Sequence, residues 1–154
     1  MDGSGVTARP SLTLRRTIKA PPDRVFSAWT QAAQLSRWFC PADCTLESVE
    51  NDPRPGGRYA ITMRSRDSGE THRLSGTDRA FDPPQRLIMT WAWYTMPERE
   101  SLVTVDIAAT DGGSVLTLTH AQFADTRARD GHRVGWTGML DHLAELLEAG
   151  AAAC

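Results

Sequence analysis

The stretch of sequence that decides the fold is DTRARDGHRVGWTGMLDHLAELLE, residues 125–148. Its small and apolar side chains recur every three or four residues, as on one face of a helix. These positions are Ala128, Gly135, Trp136, Met139, Leu143, Leu146 and Leu147. At about 1.5 Å per residue the predicted helix is roughly 36 Å long. A domain formed by a chain of this length is only about 30 Å across, so we expect the helix to cross a whole sheet.

Three glycines, Gly131, Gly135 and Gly138, lie inside this predicted helix. Each costs up to about 1 kcal/mol of helix stability relative to alanine. Glycines in a helix either let a neighbouring backbone approach closely or leave space beside the helix. The sequence leaves both explanations open.

Upstream of the helix, the sequence predicts strands over most of its length. Residues 12–18 alternate apolar and polar side chains, which is typical of a half-buried strand. Two short amphipathic helices follow and end near Pro41. Six further alternating runs between residues 43 and 120 are separated by turn sequences at 51–57, 67–69, 82–84, around Pro97 and at 111–113. The pattern therefore predicts an α+β fold, in which a curved antiparallel sheet of about seven strands wraps around the long C-terminal helix.

The size and charge of the chain limit its class. The 154 residues have room for one domain, expected at residues 11–149 between tails at 1–10 and 150–154. With 17 basic and 19 acidic residues the net charge is −2, so we expect no nucleic-acid partner. No apolar run approaches the ~18 residues of a membrane span, and the first residues lack the features of a signal peptide. With only three cysteines, a cytoplasmic protein without a disulfide framework is expected.

Five segments, in this order, resemble one protein family. They are VFSAWTQAAQLSRWF at 25–39, PGGRY at 55–59, PPQRLIMTW at 83–91, LTLTH at 116–120 and GHRVGWTGMLDHL at 131–143. Together they resemble the START/polyketide-cyclase (SRPBCC) superfamily, and within it the branch named after the heat-shock-protein ATPase activator. The resemblance implies the helix-grip fold, with a deep cavity between the long helix and the concave sheet. Across the superfamily this cavity holds apolar ligands, and in the cyclases and dehydratases it is the site of chemistry on aromatic polyketides.

The aromatic residues supply the candidate lining of such a cavity. Tryptophan is the commonest aromatic residue, with five copies against four phenylalanines and two tyrosines. An indole is buried best where its N–H finds a partner. Several tryptophans on facing surfaces therefore suit an apolar pocket with a few polar points. The candidate ligand-binding residues are Tyr59, Met63, His72, Trp91, Trp93, His120, Trp136 and Met139.

Two histidines are the weak candidates for catalysis. His120 shares a strand face with Leu116 and Leu118 and is expected to point toward the cavity mouth, and His132 lies at the start of the long helix. If that helix begins over the end of the last strand, the two imidazoles approach each other. They would then form an acid–base or ligand-anchoring pair. The alternative, which we favour, is that each orders the loop at 121–125 by bonding to its backbone.

No cofactor or metal is expected. The sequence has no dinucleotide-binding glycine motif, phosphate loop, nucleophile elbow or H-E-x-x-H zinc motif. Cys40 and Cys44 have no second Cys or His pair at zinc-site spacing, so two reduced, packed thiols are expected there.

Three functions stay open at this point. The first is binding of a small hydrophobic or aromatic molecule in an internal cavity. The second is an enzyme of cyclase, dehydratase or hydrolase type that uses His120 or His132. The third is a protein-interaction or homodimerisation module, which would have a fully packed interior and no cavity.

Overall fold

Seven antiparallel strands form one sheet in the part of the chain, residues 9–149, that this computed structural model describes. The strands and helices are β1 Leu12–Ile18, α1 Pro22–Thr30, α2 Ala32–Trp38, β2 Cys44–Asn51, β3 Arg58–Ser65, β4 Thr71–Asp82, β5 Arg86–Trp93, β6 Ser101–Thr110, β7 Gly113–Ala121 and α3 Thr126–Ala149, with a short 3-10 helix at Pro97–Arg99. The α+β fold predicted from the sequence, with its order of elements, is confirmed. The predicted tails lie outside the described residues, apart from Arg9 and Pro10.

The strand order in the sheet is β1-β7-β6-β5-β4-β3-β2. β2 to β7 form a meander, and β1 pairs with β7 at the edge through a register that sets Leu12 opposite His120. The pairing shifts between Leu46 and Ser48 in β2, and again between Asp78 and Ala80 in β4. Such irregularities bend a strand and increase its twist, which agrees with the curled shape of this sheet.

The long helix α3 begins with a side-chain cap. Asp125 Oδ1 accepts a hydrogen bond from the Ala128 amide at 2.8 Å, which satisfies a free N–H of the first turn. Near the other end, the Glu148 carboxylate accepts from the Lys19 amide at 2.9 Å, and Asp141 forms an ion pair with Arg16 of β1. These contacts fix the C-terminal half of α3 against the first strand.

The buried side chains of α3 complete the core from one side. They are Trp136, Met139, Leu140, Leu143, Ala144, Leu146 and Leu147. None of the described helices is long and apolar enough to cross a membrane. The buried stripe begins only at Trp136, so the first ten residues of α3 place no fully buried side chain in the core.

Candidate functional site

An open cleft with a volume of about 690 Å³ lies between the first half of α3 and the sheet. β5 contributes Trp91 and Trp93, β3 contributes Met63, and α3 contributes Trp136 and Met139. The other lining residues come from the segment after α2, the segment after β5 and the first turns of α3: Phe39, Pro41, Ala42, Asp43, Cys44, Met96, Arg99, Asp125, Arg127, Ala128, Gly131, His132, Val134, Gly135 and Gly138. The lining is therefore mostly apolar, with three tryptophans bordering one space.

The three glycines of α3 all lie along this cleft. A Cβ atom placed on Gly131, Gly135 or Gly138 would meet no heavy atom within 4 Å. The glycines therefore leave space beside the helix and do not serve a close backbone approach. This decides between the two explanations that the sequence left open.

Five of the eight predicted ligand-binding residues border the cleft, and three do not. His72 lies beside Trp93, with the two ring centroids 6.5 Å apart, and its side chain is 39% exposed. Tyr59 and His120 are buried behind the cleft. His120 does not reach the cavity mouth as expected, because it is fully buried and forms a hydrogen bond with the Trp136 indole.

Tyr59 instead borders a second, inner cavity of about 20 Å³. Its hydroxyl donates a hydrogen bond to the Thr90 carbonyl beside Gly76. A Cβ atom at position 76 would overlap both the Thr90 carbonyl oxygen and the Tyr59 hydroxyl oxygen. Burial, with Asp78 and then Glu100 nearby, raises the pKa of the Tyr59 phenol. The inner cavity is lined by Trp29, Thr30, Leu35, Phe39, Asn51, Tyr59, Ile61, Asp78, Leu87, Met89 and Trp91.

His120 forms hydrogen bonds with a tryptophan and a serine. Its Nδ1 accepts from Trp136 Nε1–H at 3.0 Å, and an indole nitrogen is only a donor. The imidazole proton therefore lies on Nε2, which donates to Ser101 Oγ at 2.7 Å. The Ser101 hydroxyl in turn donates to the Trp91 carbonyl at 3.3 Å. His120 thus cannot take the proton of Ser101, although a serine and a histidine are adjacent.

His132 has the opposite tautomer for the same reason. Its Nε2 accepts from Trp93 Nε1–H at 3.0 Å, so Nδ1 carries the proton and donates to the Ala128 carbonyl at 2.7 Å. The two imidazoles approach as the sequence suggested, with ring centroids 5.2 Å apart. Phe123 packs on both rings, at 4.1 Å from His120 and 5.0 Å from His132.

Both histidines are held in the neutral form. Burial, and to a smaller extent the neighbouring His132, lowers the pKa of His120 to about 2. Burial also lowers the pKa of His132, although its bond to Ala128 acts in the other direction. Because both nitrogens of each ring are hydrogen-bonded, neither imidazole has a free lone pair for proton transfer. Their role in this arrangement is to fix the indoles of Trp93 and Trp136 as cleft walls.

The mouth of the cleft is partly apolar and carries both signs of charge. Met96 and Val134 are large apolar side chains that are 41% and 75% exposed here. Arg99 faces Asp125 at 3.7 Å, and the exposed Arg127 lies in the first turn of α3. Exposed charged side chains of both signs thus accompany the apolar lining of the cleft.

Sequence reasoning missed the wall formed by Pro41, Ala42 and Asp43, because an irregular loop carries no periodic signal. It also missed Ser101, whose place beside His120 depends on the register between β6 and β7.

The expected pair of reduced thiols is wrong for Cys40, which is disulfide-bonded, whereas Cys44 is a buried free thiol. Among residues 9–149 there is no cluster of His, Cys, Asp or Glu that could hold a metal ion.

Comparison with known proteins gives one family and a set of similar structures. The family model described as Activator of Hsp90 ATPase homolog 1-like protein matches residues 19–148. A Chromobacterium violaceum protein of known structure is 26% identical, with 90% of this chain and 98% of that chain covered and a TM-score of 0.83. An AHSA1 protein from Silicibacter pomeroyi is also 26% identical, with 92% and 100% covered and a TM-score of 0.81. A putative uncharacterized protein from Rhizobium leguminosarum is 28% identical, with 92% and 95% covered and a TM-score of 0.77. No curated protein matches the chain.

Proposed function

The chain belongs to the family of Activator of Hsp90 ATPase homolog 1-like proteins, and from this premise we propose that it binds a small apolar or aromatic molecule in the cleft beneath α3. This family lies within the SRPBCC superfamily, whose fold commonly binds hydrophobic ligands. The resemblance inferred from the sequence is therefore confirmed at the level of the family. The ligand and its site are our proposal.

The observation that carries the proposal is the space itself. Ligand pockets have volumes of roughly 300–1,000 Å³ and are mostly apolar, with a few placed polar groups. The cleft has about 690 Å³. Its walls are aromatic and thioether side chains, and three consecutive helical turns beside it carry glycine where a side chain would reduce the space. A chain selected only for a packed core would gain helix stability from alanine at these positions.

Rigid walls also support binding. Trp93 and Trp136 are each held by a histidine, and Trp136 packs between Trp29 at 5.7 Å and Trp91 at 5.1 Å. Side chains that are ordered before binding lose little entropy when a ligand arrives. The bonds of His120 and His132 therefore favour a binding protein over an enzyme that uses these histidines.

The cleft also distinguishes this proposal from an interaction module without a ligand. A fully packed interior is what that alternative requires, and the space beneath α3 is open. A homodimer that covers Met96 and Val134 would be compatible with ligand binding. A cytoplasmic location without membrane or nucleic-acid partners is part of the same proposal, and the net charge of −2 supports the absence of a nucleic-acid partner.

Calorimetric titration with 2-methylnaphthalene, a neutral aromatic probe, tests the proposal. We expect saturable binding to one site per chain, and we expect Gly135→Trp to abolish it, because the new indole would occupy the cleft. Thr137→Trp is the matched control, since Thr137 lies on the exposed face of the same helix and does not line the cleft. Equal binding by the wild type and both variants would place the probe elsewhere and contradict the proposal.

A further inference from the structure

Two buried hydrogen-bond donors face no partner. The indole Nε1–H groups of Trp29 and Trp91 have no hydrogen-bond partner among the described residues, and both residues are 3% exposed. A buried donor without a partner is costly, so such groups usually mark a bound water or a ligand atom. Trp29 and Trp91 both line the inner cavity.

A buried carboxyl group lines the same cavity. Asp78 is 4% exposed and lies at the irregularity of β4, among apolar neighbours such as Met89 and Leu87. Burial, and then the charge of Asp52, raises its pKa to about 6. Above that pH the group is a carboxylate and only accepts hydrogen bonds. The residues that line the inner cavity thus include two with an unpartnered donor and one with a strong acceptor.

We propose that the inner cavity is a polar subsite that takes the hydroxyl group of a neutral apolar alcohol or phenol held in the cleft. A hydroxyl oxygen accepts from an indole N–H while its proton is donated to the Asp78 carboxylate. The volume of about 20 Å³ is sufficient for a single oxygen atom, since a water needs roughly 10–15 Å³ by the same measure. An anionic ligand group is disfavoured, because it would face a carboxylate of like charge.

Phe39 and Trp91 connect this subsite to the cleft. Both side chains line both cavities, and their ring centroids are 6.0 Å apart. A ligand that lies against Trp91 in the cleft is therefore separated from the inner cavity by one layer of side chains. Because these two rings form the wall between the two spaces, the Phe39 ring must turn aside before the hydroxyl can reach the inner cavity. This inference rests on the proposed function and adds the chemical class of the ligand.

Calorimetry at pH 7.5 with three probes of one ring system tests the subsite: 2-naphthol, 2-methylnaphthalene and 2-naphthoate. A hydrogen bond to a charged group changes affinity by roughly 10- to 100-fold. We expect 2-naphthol to bind at least about tenfold more tightly than 2-methylnaphthalene, and 2-naphthoate to bind most weakly. Asp78→Asn should reduce the preference for the hydroxyl to a few fold. Asp52→Asn is the matched control, because it removes a nearby charge from a side chain that does not line the cavity.

A second measurement on the wild-type protein does not depend on the folding of a variant. In proton–nitrogen correlation spectra, the indole N–H signals of Trp29 or Trp91 should lie further downfield in the complex with 2-naphthol than in the complex with 2-methylnaphthalene, because the two ring systems are the same and only 2-naphthol accepts a hydrogen bond. Equal affinities of these two probes, without such a shift, would overturn the subsite and leave the proposed function standing. Absence of binding by all three probes would overturn both.

Discussion

Replacement of the three cleft glycines by alanine should stabilise the protein and weaken ligand binding at the same time. In a helix interior each glycine-to-alanine change is worth about 0.8–1.0 kcal/mol. A Cβ atom at Gly131, Gly135 or Gly138 meets nothing within 4 Å, so no clash reduces this gain. The triple variant should therefore raise the free energy of unfolding by about 2.5–3 kcal/mol. For a chain of this size that corresponds to a rise in Tm of roughly 5–12 °C.

The same three methyl groups project into the cleft, so the affinity for 2-methylnaphthalene should fall. Urea unfolding gives the stability, and calorimetry gives the affinity. Thr137→Ala is the control: it also raises helix propensity, but on the exposed face of α3, and it should leave the affinity unchanged. Loss of stability in the triple variant would refute the reasoning, because it would mean that the space beside the glycines is filled. Higher stability with unchanged affinity would mean that the probe does not bind beside α3.

The remaining predictions concern the groups behind the cleft. Because the pKa of His120 is lowered in the folded protein, the unfolded chain binds a proton below about pH 6.5 that the native protein does not, so acidification should destabilise the protein. His120→Gln should remove up to about 1.4 kcal/mol per pH unit of this dependence, measured as the difference between the urea-unfolding curves of the two proteins. The comparison cancels the contribution of Asp78, which is present in both proteins. The raised pKa of Asp78 has the opposite effect on stability, because the native protein binds a proton there as the pH falls through about 6 and is stabilised by it. Gly76→Ala should cost about 1–3 kcal/mol or more, since a Cβ atom would overlap a backbone oxygen, whereas Gly112→Ala, with nothing nearby, should be close to neutral in thermal unfolding.

Much of the fold could be predicted from the sequence, because it rests on local periodicity. Alternation with period two placed the strands, and the apolar stripe placed α3 within one residue of its ends. The position where α3 begins also has a local cause, because aspartate is a common N-cap residue and Asp125 caps the first turn of this helix. Because short turn sequences join most of the consecutive strands, each of these strands is expected to pair antiparallel with the next, which gives a meander.

The site could be predicted only in part, because strand alternation gives the face of a residue and not its depth. Tyr59 and Met63 share a face of β3, yet Met63 borders the cleft and Tyr59 borders the inner cavity. The partners of His120 were not predictable for a related reason. Its bonds to Ser101 and Trp136 join residues of different elements, and they depend on the register of β6 and on the position of α3 over the sheet.

Native mass spectrometry of the protein purified from its own host tests the central claim most directly, because it weighs whatever the cleft retains. We expect the wild-type protein to carry a small, neutral, apolar molecule in a one-to-one complex. The Gly135→Trp variant should lack that molecule, and Thr137→Trp should keep it. A wild-type protein that carries no such molecule, or a Gly135→Trp variant that carries it equally, would contradict the claim that the cleft beneath α3 is the binding site.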